Sequence, residues 1–303
     1  MILTENNRLD MSDADAVVFD AFLDRLRDGK NTDEDWNTLR TKCSYYSMGD
    51  AGWCSRGFND PDVTHLYTTN KEVTDHNNRT ILKVGNPIAR IESENTGSAK
   101  SMKDDVLGNL AAWLFLCVGS KVMLIRNYLN LGLSNGTTGI VKEIVYEPGK
   151  SAPALPKFVL VDFGTSYTGS SFFPDDESKR GWFPVFPVKN TSYTMNKNGT
   201  NGFAEHSRTM LPLKLCWAWT IHKAQGMSID NNLVVNLGDK EMDHGLTYVA
   251  LSRVTKFKFI GLKNGITKNR LCKNIARHKK MKPRIEEEKR LKMLCENTLK
   301  YFI

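Results

Sequence analysis

Cysteine is sparse and unpatterned in this chain of 303 residues. Six are scattered at positions 43, 54, 117, 216, 272 and 295, with no CxxC and no Cys/His pair at metal-ligand spacing. That excludes a zinc module and disfavours a disulfide framework, so the thiols read as reduced, as in a nuclear or cytoplasmic compartment. Cys117 and Cys216 lie in apolar strand-like runs and read as small core hydrophobes. A long apolar stretch is also missing. The longest, LAAWLFLCVG (110–119), is too short to span a bilayer and lacks signal-peptide flanks, so no membrane partner or export is expected. Internal repeats and low-complexity tracts are absent. With 40% hydrophobic and 25% charged residues, the composition suits a globular chain able to build two cores.

The net charge of +8 is uneven. Residues 256–292 hold fourteen Lys/Arg against three Glu, and the remainder is slightly acidic. Basicity is therefore a property of the C-terminal tail. Two readings of it stand: a phosphate-binding segment, or a solvated helix face on which Glu286, Glu287 and Glu288 pair with Lys289 and Arg290.

Ser12 with Asp15 resembles a capping box, and Ala16, Phe19, Phe22, Leu23 and Leu26 recur at helical spacing until Gly29. Thr32 with Asp35 opens a second helix carrying Trp36 and Leu39. VTHLY (63–67) predicts a strand, followed by a helix over 71–82. Between about 89 and 212 helical periodicity fades. Short β-rich runs take over at 121–126, 139–146, 157–163 and 182–188, separated by turn formers, which predicts a small antiparallel sheet or barrel. Residues 190–207, rich in Asn, Ser, Thr and Gly, read as a mobile loop. From 213 an α/β pattern returns: Leu213, Leu215, Trp217, Trp219 and Ile221 alternate, LVVNL (233–237) is a strand, GLTYVALSRV (245–254) a helix and FKFIGL (257–262) a last strand. The expected fold class is α/β, one domain interrupted by an inserted β module. Its segments are 1–88 and 213–263 for the α/β domain, 89–212 for the insertion, and 264–303 for a basic helical tail.

The run WAWTIHKAQGMSID (217–230) ends an apolar alternation on a polar knot. At the C-terminal end of a strand in an α/β sheet, such a knot falls where these folds bind ligands. Thr220 can cap the turn 221–225, and Gly226 can close it in a left-handed conformation. His222, Lys223 and Gln225 are then displayed, with turn N–H groups pointing outward toward an anion. YVALSRV (248–254) places Arg253 at the exposed end of an apolar helix.

Together, TIHKAQG and YVALSR resemble motifs V and VI of superfamily-one DNA helicases, closest to the PIF and RecD-like branch, which includes the helicase portions of Helitron-type transposons. LTENNR (3–8) resembles the motif IV arginine segment, and LYTTNKEVTDHN (66–77) the strand and loop after it. GSKVMLIRNY and GLSNGTTGIV, within 119–141, resemble the entry to an inserted SH3-like module, and 208–226 its return. The resemblance covers about 1–262. It implies a second RecA-like lobe of the P-loop NTPase type, in which Arg8 and Arg253 neutralise the transition state of ATP cleavage, an effect worth about 10³–10⁵ in rate. Gln225 would link the nucleotide side to the DNA side, and Gln225 and Gly226 would join Arg8 and Arg253 in binding the nucleotide. Thr69, Asn70, Thr220, His222 and Lys223 would contact single-stranded DNA, although each could instead cap a local turn.

A complete ATPase of this class also needs GxxxxGK[ST] and an acidic strand end for magnesium. Neither is present, since GNPIAR and GSAKSMK lack the spacing. The resemblance therefore implies that ATP and Mg2+ are bound mainly by an N-terminal RecA-like lobe absent from this chain. It further implies that the chain is the C-terminal portion of a 5′–3′ DNA helicase, inactive alone. The alternative is a non-catalytic nucleic-acid-binding or regulatory remnant. No metal ligand set is expected within the chain. Arg8, Gln225 and Arg253 should converge on one solvent-accessible face.

Overall fold

The computed structural model describes residue 9 and residues 14–195, 203–238 and 240–300. Helices α1 (Ala14–Asp28), α2 (Asp33–Cys43) and α3 (Tyr45–Ser55) precede strand β1 (Thr64–Tyr67) and helix α4 (Asn70–Ile81). Short strands follow: β2 (Ala89–Glu92), β3 (Glu94–Thr96), β4 (Trp113–Leu116), β5 (Lys121–Leu124), β6 (Thr138–Val145), β7 (Phe158–Asp162), β8 (Trp182–Val185), β9 (Val188–Met195), β10 (Phe203–Met210) and β11 (Leu213–Leu215). The chain closes with β12 (Ala218–Thr220), β13 (Leu233–Val235), α5 (Leu246–Leu251), β14 (Ile260–Leu262) and α6 (Met281–Leu299). Two compact units divide after Thr74 and after Trp217, whereas the sequence pattern places those borders after 88 and 212.

The first unit holds a parallel sheet in the order β12-β1-β13-β14. Its strands are short apolar runs because both faces are covered. Leu233 and Val235 face a core shared with Phe19, Phe22, Leu23 and Leu26 of α1, while Val234 between them packs with Trp53 and Phe58. Burying a core side chain of this size contributes about 1.5–3 kcal/mol, so the period-2 alternation of β13 holds helices on both faces of the sheet. α1 stops at Gly29, whose φ of +67° suits glycine and whose missing side chain admits the Ala276 backbone. The expected capping box on α2 is present: Asp35 N donates to Thr32 Oγ1, and Thr32 N donates to Asp35 Oδ2. Arg25 of α1 grips the same Asp35 carboxylate with two hydrogen bonds of 2.9 and 2.7 Å. Ser12 lies outside the described residues.

The sequence pattern differs from this unit in four places. α3 carries no amphipathic signal and emerges only in the fold. The helix expected over 245–254 covers Leu246–Leu251, so Arg253 lies beyond it. The strand expected over 257–262 is confined to Ile260–Leu262. The tail is not uniformly solvated: Leu271, Ile275 and Met281 join the core, and Arg270 is buried. The Arg270 guanidinium donates to the carbonyls of Gly238 and Lys240, to Glu241 Oε2 at 2.9 Å and to Thr247 Oγ1 at 3.0 Å. Glu241 in turn accepts from the Thr247 N–H at 3.0 Å, at the start of α5. A buried charge persists only when its donors are met in this way.

The second unit is built from antiparallel sheets: five strands in the order β11-β5-β6-β7-β8, three in the order β3-β10-β9, and the pair β2-β4. Val122, Leu124, Val141, Val159, Val161, Phe183 and Val185 supply the core of the five-stranded sheet. Two expectations fail here. The alternating run 213–221 is not one strand: Leu213–Leu215 pairs antiparallel with β5, and Ala218–Thr220 pairs parallel with β1. Within 190–207, read as a loop, residues 190–195 and 203–207 are strand, paired from Asn190↔Arg208 to Met195↔Phe203. Their polar side chains hide β-forming Thr and Tyr. Tyr193, Met195 and Phe203 sit on the exposed face of this hairpin.

Arg208 of β10 is wholly buried and spends its five N–H groups. It donates to Asn95 Oδ1 at 3.1 Å, Asp104 Oδ1 at 2.5 Å, and the carbonyls of Leu110, Ala99 and Met102 at 2.7, 2.7 and 3.0 Å. Apart from Asn95 in β3, those acceptors lie between β3 and β4, in a segment with no ladder of its own. Nearby, His206 accepts from the Ser98 N–H on Nδ1 and reaches Thr194 Oγ1 with Nε2 at 2.8 Å. All six cysteines are free, and burial pushes the Cys43 thiol up to about 12, which leaves it inert. Among the described residues, no helix is long and apolar enough to cross a membrane.

Replacing Arg208 by Ala strands several buried carbonyls at once, and should cost on the order of 3–5 kcal/mol in urea denaturation. Asp104→Asn should cost far less, because its carboxylate is 44% exposed.

Candidate nucleic-acid interface

In a parallel sheet all strands end at the same edge, so the segments after β1 and β12 emerge side by side. Tyr67 pairs with Thr220, and the Ile221 N–H donates to the Tyr67 carbonyl at 2.9 Å. Thr69 and Asn70 therefore share one edge with Thr220, His222 and Lys223. Asn70, His222, Lys223 and Gln225 are exposed there.

Local capping absorbs part of this set. Thr69 Oγ1 and the Thr69 N–H both donate to Glu72 Oε2, at 2.6 and 3.1 Å, and the Glu72 N–H approaches Thr69 Oγ1 at 3.3 Å. Thr69 is thus the reciprocal cap of α4. Thr220 caps the turn after β12: its hydroxyl accepts from the Lys223 N–H at 3.2 Å and its carbonyl from the Ala224 N–H. Gly226 closes that turn at φ +87°. The outward anion nest expected from the sequence is not formed, because the N–H groups of Lys223, Ala224, Gln225 and Met227 are spent inside the turn. What the turn offers is side chains.

Arg253 is joined to this turn. Its Nε donates to the Val249 carbonyl at 2.7 Å, and its two terminal nitrogens to the Met227 carbonyl at 3.2 Å and Ser252 Oγ at 2.7 Å. Ile229 and Val254 form a parallel bridge beside it, with the Ile229 N–H donating to the Arg253 carbonyl at 2.9 Å. Two segments about twenty residues apart thus meet at one junction. The expectation of a solvent-accessible arginine is overturned, however: only 6% of Arg253 is exposed. Beyond the helix end its side chain folds back onto the last turn of α5, where orphan carbonyls are available. Gln225 is exposed on the same junction. Arg8 lies outside the described residues, so the convergence of all three has no geometry here.

Sequence reasoning missed one further group. Asp243, in the loop before α5, accepts from Lys280 Nζ at 2.9 Å and from the His244 N–H at 2.9 Å, and its other oxygen faces His222 Nε2 at 3.8 Å. The Lys280 hydrogen bond, then the His244 N–H, hold this carboxyl down at about 2. His244 stacks on His278 at 5.1 Å, and burial together with that neighbour pushes its imidazole below the usual range. No spacing rule links positions 222, 243 and 280, so only the fold could find them.

Among the described residues, no group of three or more His, Cys, Asp or Glu could hold a metal ion. Nor do these residues fit a complete triphosphate seat: the glycine-rich loop is missing and the turn N–H groups are already used.

No protein-family model matches the chain. It is 29% identical over 206 residues to the ATP-dependent DNA helicase Pif1 of Campylobacter jejuni, a match covering 65% of this chain and 41% of that protein. Among solved structures it resembles Pif1 helicase from Candida albicans, with a TM-score of 0.62 and 25% identity over 95% of this chain and 60% of that one. It also resembles Bacteroides Pif1 in complex with ADP-AlF3 and single-stranded DNA, with a TM-score of 0.61 and 22% identity over 88% of this chain and 52% of that one. The chain therefore spans less than half of the curated relatives it matches and about half to three fifths of the solved structures. In sequence and in its RecA-like fold, it resembles the Pif1 DNA helicases.

Proposed function

We propose that the chain forms the second RecA-like lobe of an ATP-dependent 5′–3′ DNA helicase of Pif1 type, its C-terminal portion, with the antiparallel unit as an SH3-like insertion. The observation that carries this reading is the junction at which Met227 and Ile229, directly after the turn 220–226, are hydrogen-bonded to Arg253, just past the end of α5. His222 and Lys223 present cationic or polar tips to DNA phosphates, while Asn70 stands on the neighbouring loop. Thr69 and Thr220 shape those loops through their caps. Gln225 and Gly226 continue from the DNA-side turn into Met227, whose carbonyl holds Arg253. A change at Arg253 is thereby felt at the turn.

ATP with Mg2+, bound mainly by an N-terminal lobe outside these residues, would supply the phosphoryl transfer. This chain's part is to bring Arg253, with Arg8, toward the charge that develops. Arg253 reaches outward only by exchanging its bonds to Met227 and Val249 for a phosphoryl oxygen, so its inward position is a resting state. The competing reading, a non-catalytic remnant that binds nucleic acid, draws on that same inward position. An in-frame upstream segment encoding GxxxxGK[ST] supports the motor, and its absence the remnant.

Purified chain should hydrolyse no ATP above background, with or without single-stranded DNA, since no phosphate cradle is present. A DNA-stimulated activity abolished by Arg253→Ala would overturn the division of labour. The chain should bind oligo-dT with an affinity that falls as salt rises, and Lys223→Ala should flatten the log–log salt slope by about 0.7, the share of one single-strand phosphate contact. An unchanged slope would remove Lys223 from the interface.

A further inference from the structure

Asp243 stands between a lysine and a histidine from distant parts of the chain. His222 belongs to the turn after β12, and Lys280 directly precedes α6 in the tail. One carboxylate touches both, at 3.8 and 2.9 Å, with the His244 N–H as a third donor. All three side chains are about half exposed, at 58%, 59% and 49% for His222, Lys280 and Asp243. The arrangement has the form of an anion site already holding an anion: two oxygens on one centre, one negative charge, and donors from two directions.

We propose that His222 and Lys280 form a binding pair for a phosphodiester of single-stranded DNA, and that Asp243 occupies this pair as an internal competitor when DNA is absent. The inference rests on the reading of the 220–226 turn as the DNA side, and extends that side onto the tail. A phosphodiester matches the carboxylate in charge and in its two terminal oxygens, so it can replace Asp243 without leaving a cation unmet. Such an exchange weakens net binding, because the arriving phosphate must displace a partner. It also speeds release, because the departing phosphate leaves no bare charge behind. A contact that must be made and broken repeatedly along a strand needs both properties.

The test is a salt titration of fluorescein-labelled oligo-dT binding to the full chain. Variants are Asp243→Asn, Lys280→Ala, His222→Ala and the double variant Asp243→Asn/Lys280→Ala, each checked for an unchanged melting temperature. Asn keeps an oxygen for the His244 N–H. Asp243→Asn should tighten binding about five-fold at low salt, the effect of one unit charge at contact distance in water. Lys280→Ala should weaken binding by a similar factor and flatten the salt slope by about 0.7, and in its background the gain from Asp243→Asn should shrink. Equal or weaker binding by Asp243→Asn, or an unchanged slope in Lys280→Ala, would overturn the proposal. If His222→Ala and Lys223→Ala weaken binding and Lys280→Ala does not, the turn remains the DNA side and only the proposal fails. If none of the three matters, the parent reading fails with it.

Discussion

A guanidinium taken out of water must have its N–H groups met, and this protein fixes its irregular backbone by that demand. From Asn95 on β3, Arg208 gathers Ala99, Met102, Asp104 and Leu110, a stretch without a strand of its own. Arg270 gathers the carbonyls of Gly238 and Lys240 with Glu241 and Thr247, which sets the start of α5. Arg253 does the same at the other end of α5, against Met227 and Val249. Sheets hold themselves by their ladders. The loops between them have no such register, and a buried planar cation with fixed donor directions supplies one.

That demand has a functional side. α5 is only six residues long, yet each end is tied by a buried arginine to a different loop. The start is bound through Thr247 and Glu241 to the tail, and the end through Arg253 to the segment after the 220–226 turn. The helix therefore couples the tail to the junction between Arg253 and the segment after the 220–226 turn. Thr69 and Thr220 are committed to their caps, which leaves His222, Lys223, Gln225 and Asn70 as the displayed chemistry of the sheet edge.

The fold was legible in the sequence wherever local chemistry decides structure. Thr32 with Asp35, the helical spacing from Ala16 to Leu26, and Gly29 each act within a few residues, and each stands as the pattern suggests apart from small shifts at element ends. The run 213–221 misled because alternation persists across a change of sheet: Leu215 and Trp219 obey one period while pairing with different partners. The β9–β10 hairpin was hidden because its polar composition outweighs its Thr and Tyr in any local reading. Position in the chain could place Arg253 at a helix end but could not give its direction, since the carbonyl that turns it inward belongs to Met227, twenty-six residues earlier. Asp243 and Lys280 were illegible for the same reason, being thirty-seven residues apart. Their meeting is a product of tertiary packing alone.

The hairpin of β9 and β10 carries a last implication, a colloidal one. β9 is the rim of its sheet, with β10 on one side and no described strand on the other, and Tyr193, Met195 and Phe203 crowd one surface of the ribbon. A rim with unsatisfied backbone groups and oily side chains is a template onto which another extended peptide can add. Lys189, on that same surface near the base of the ribbon, is the kind of charge that blunts such growth. Crowded solutions of the protein would meet this rim first as a seam for self-association.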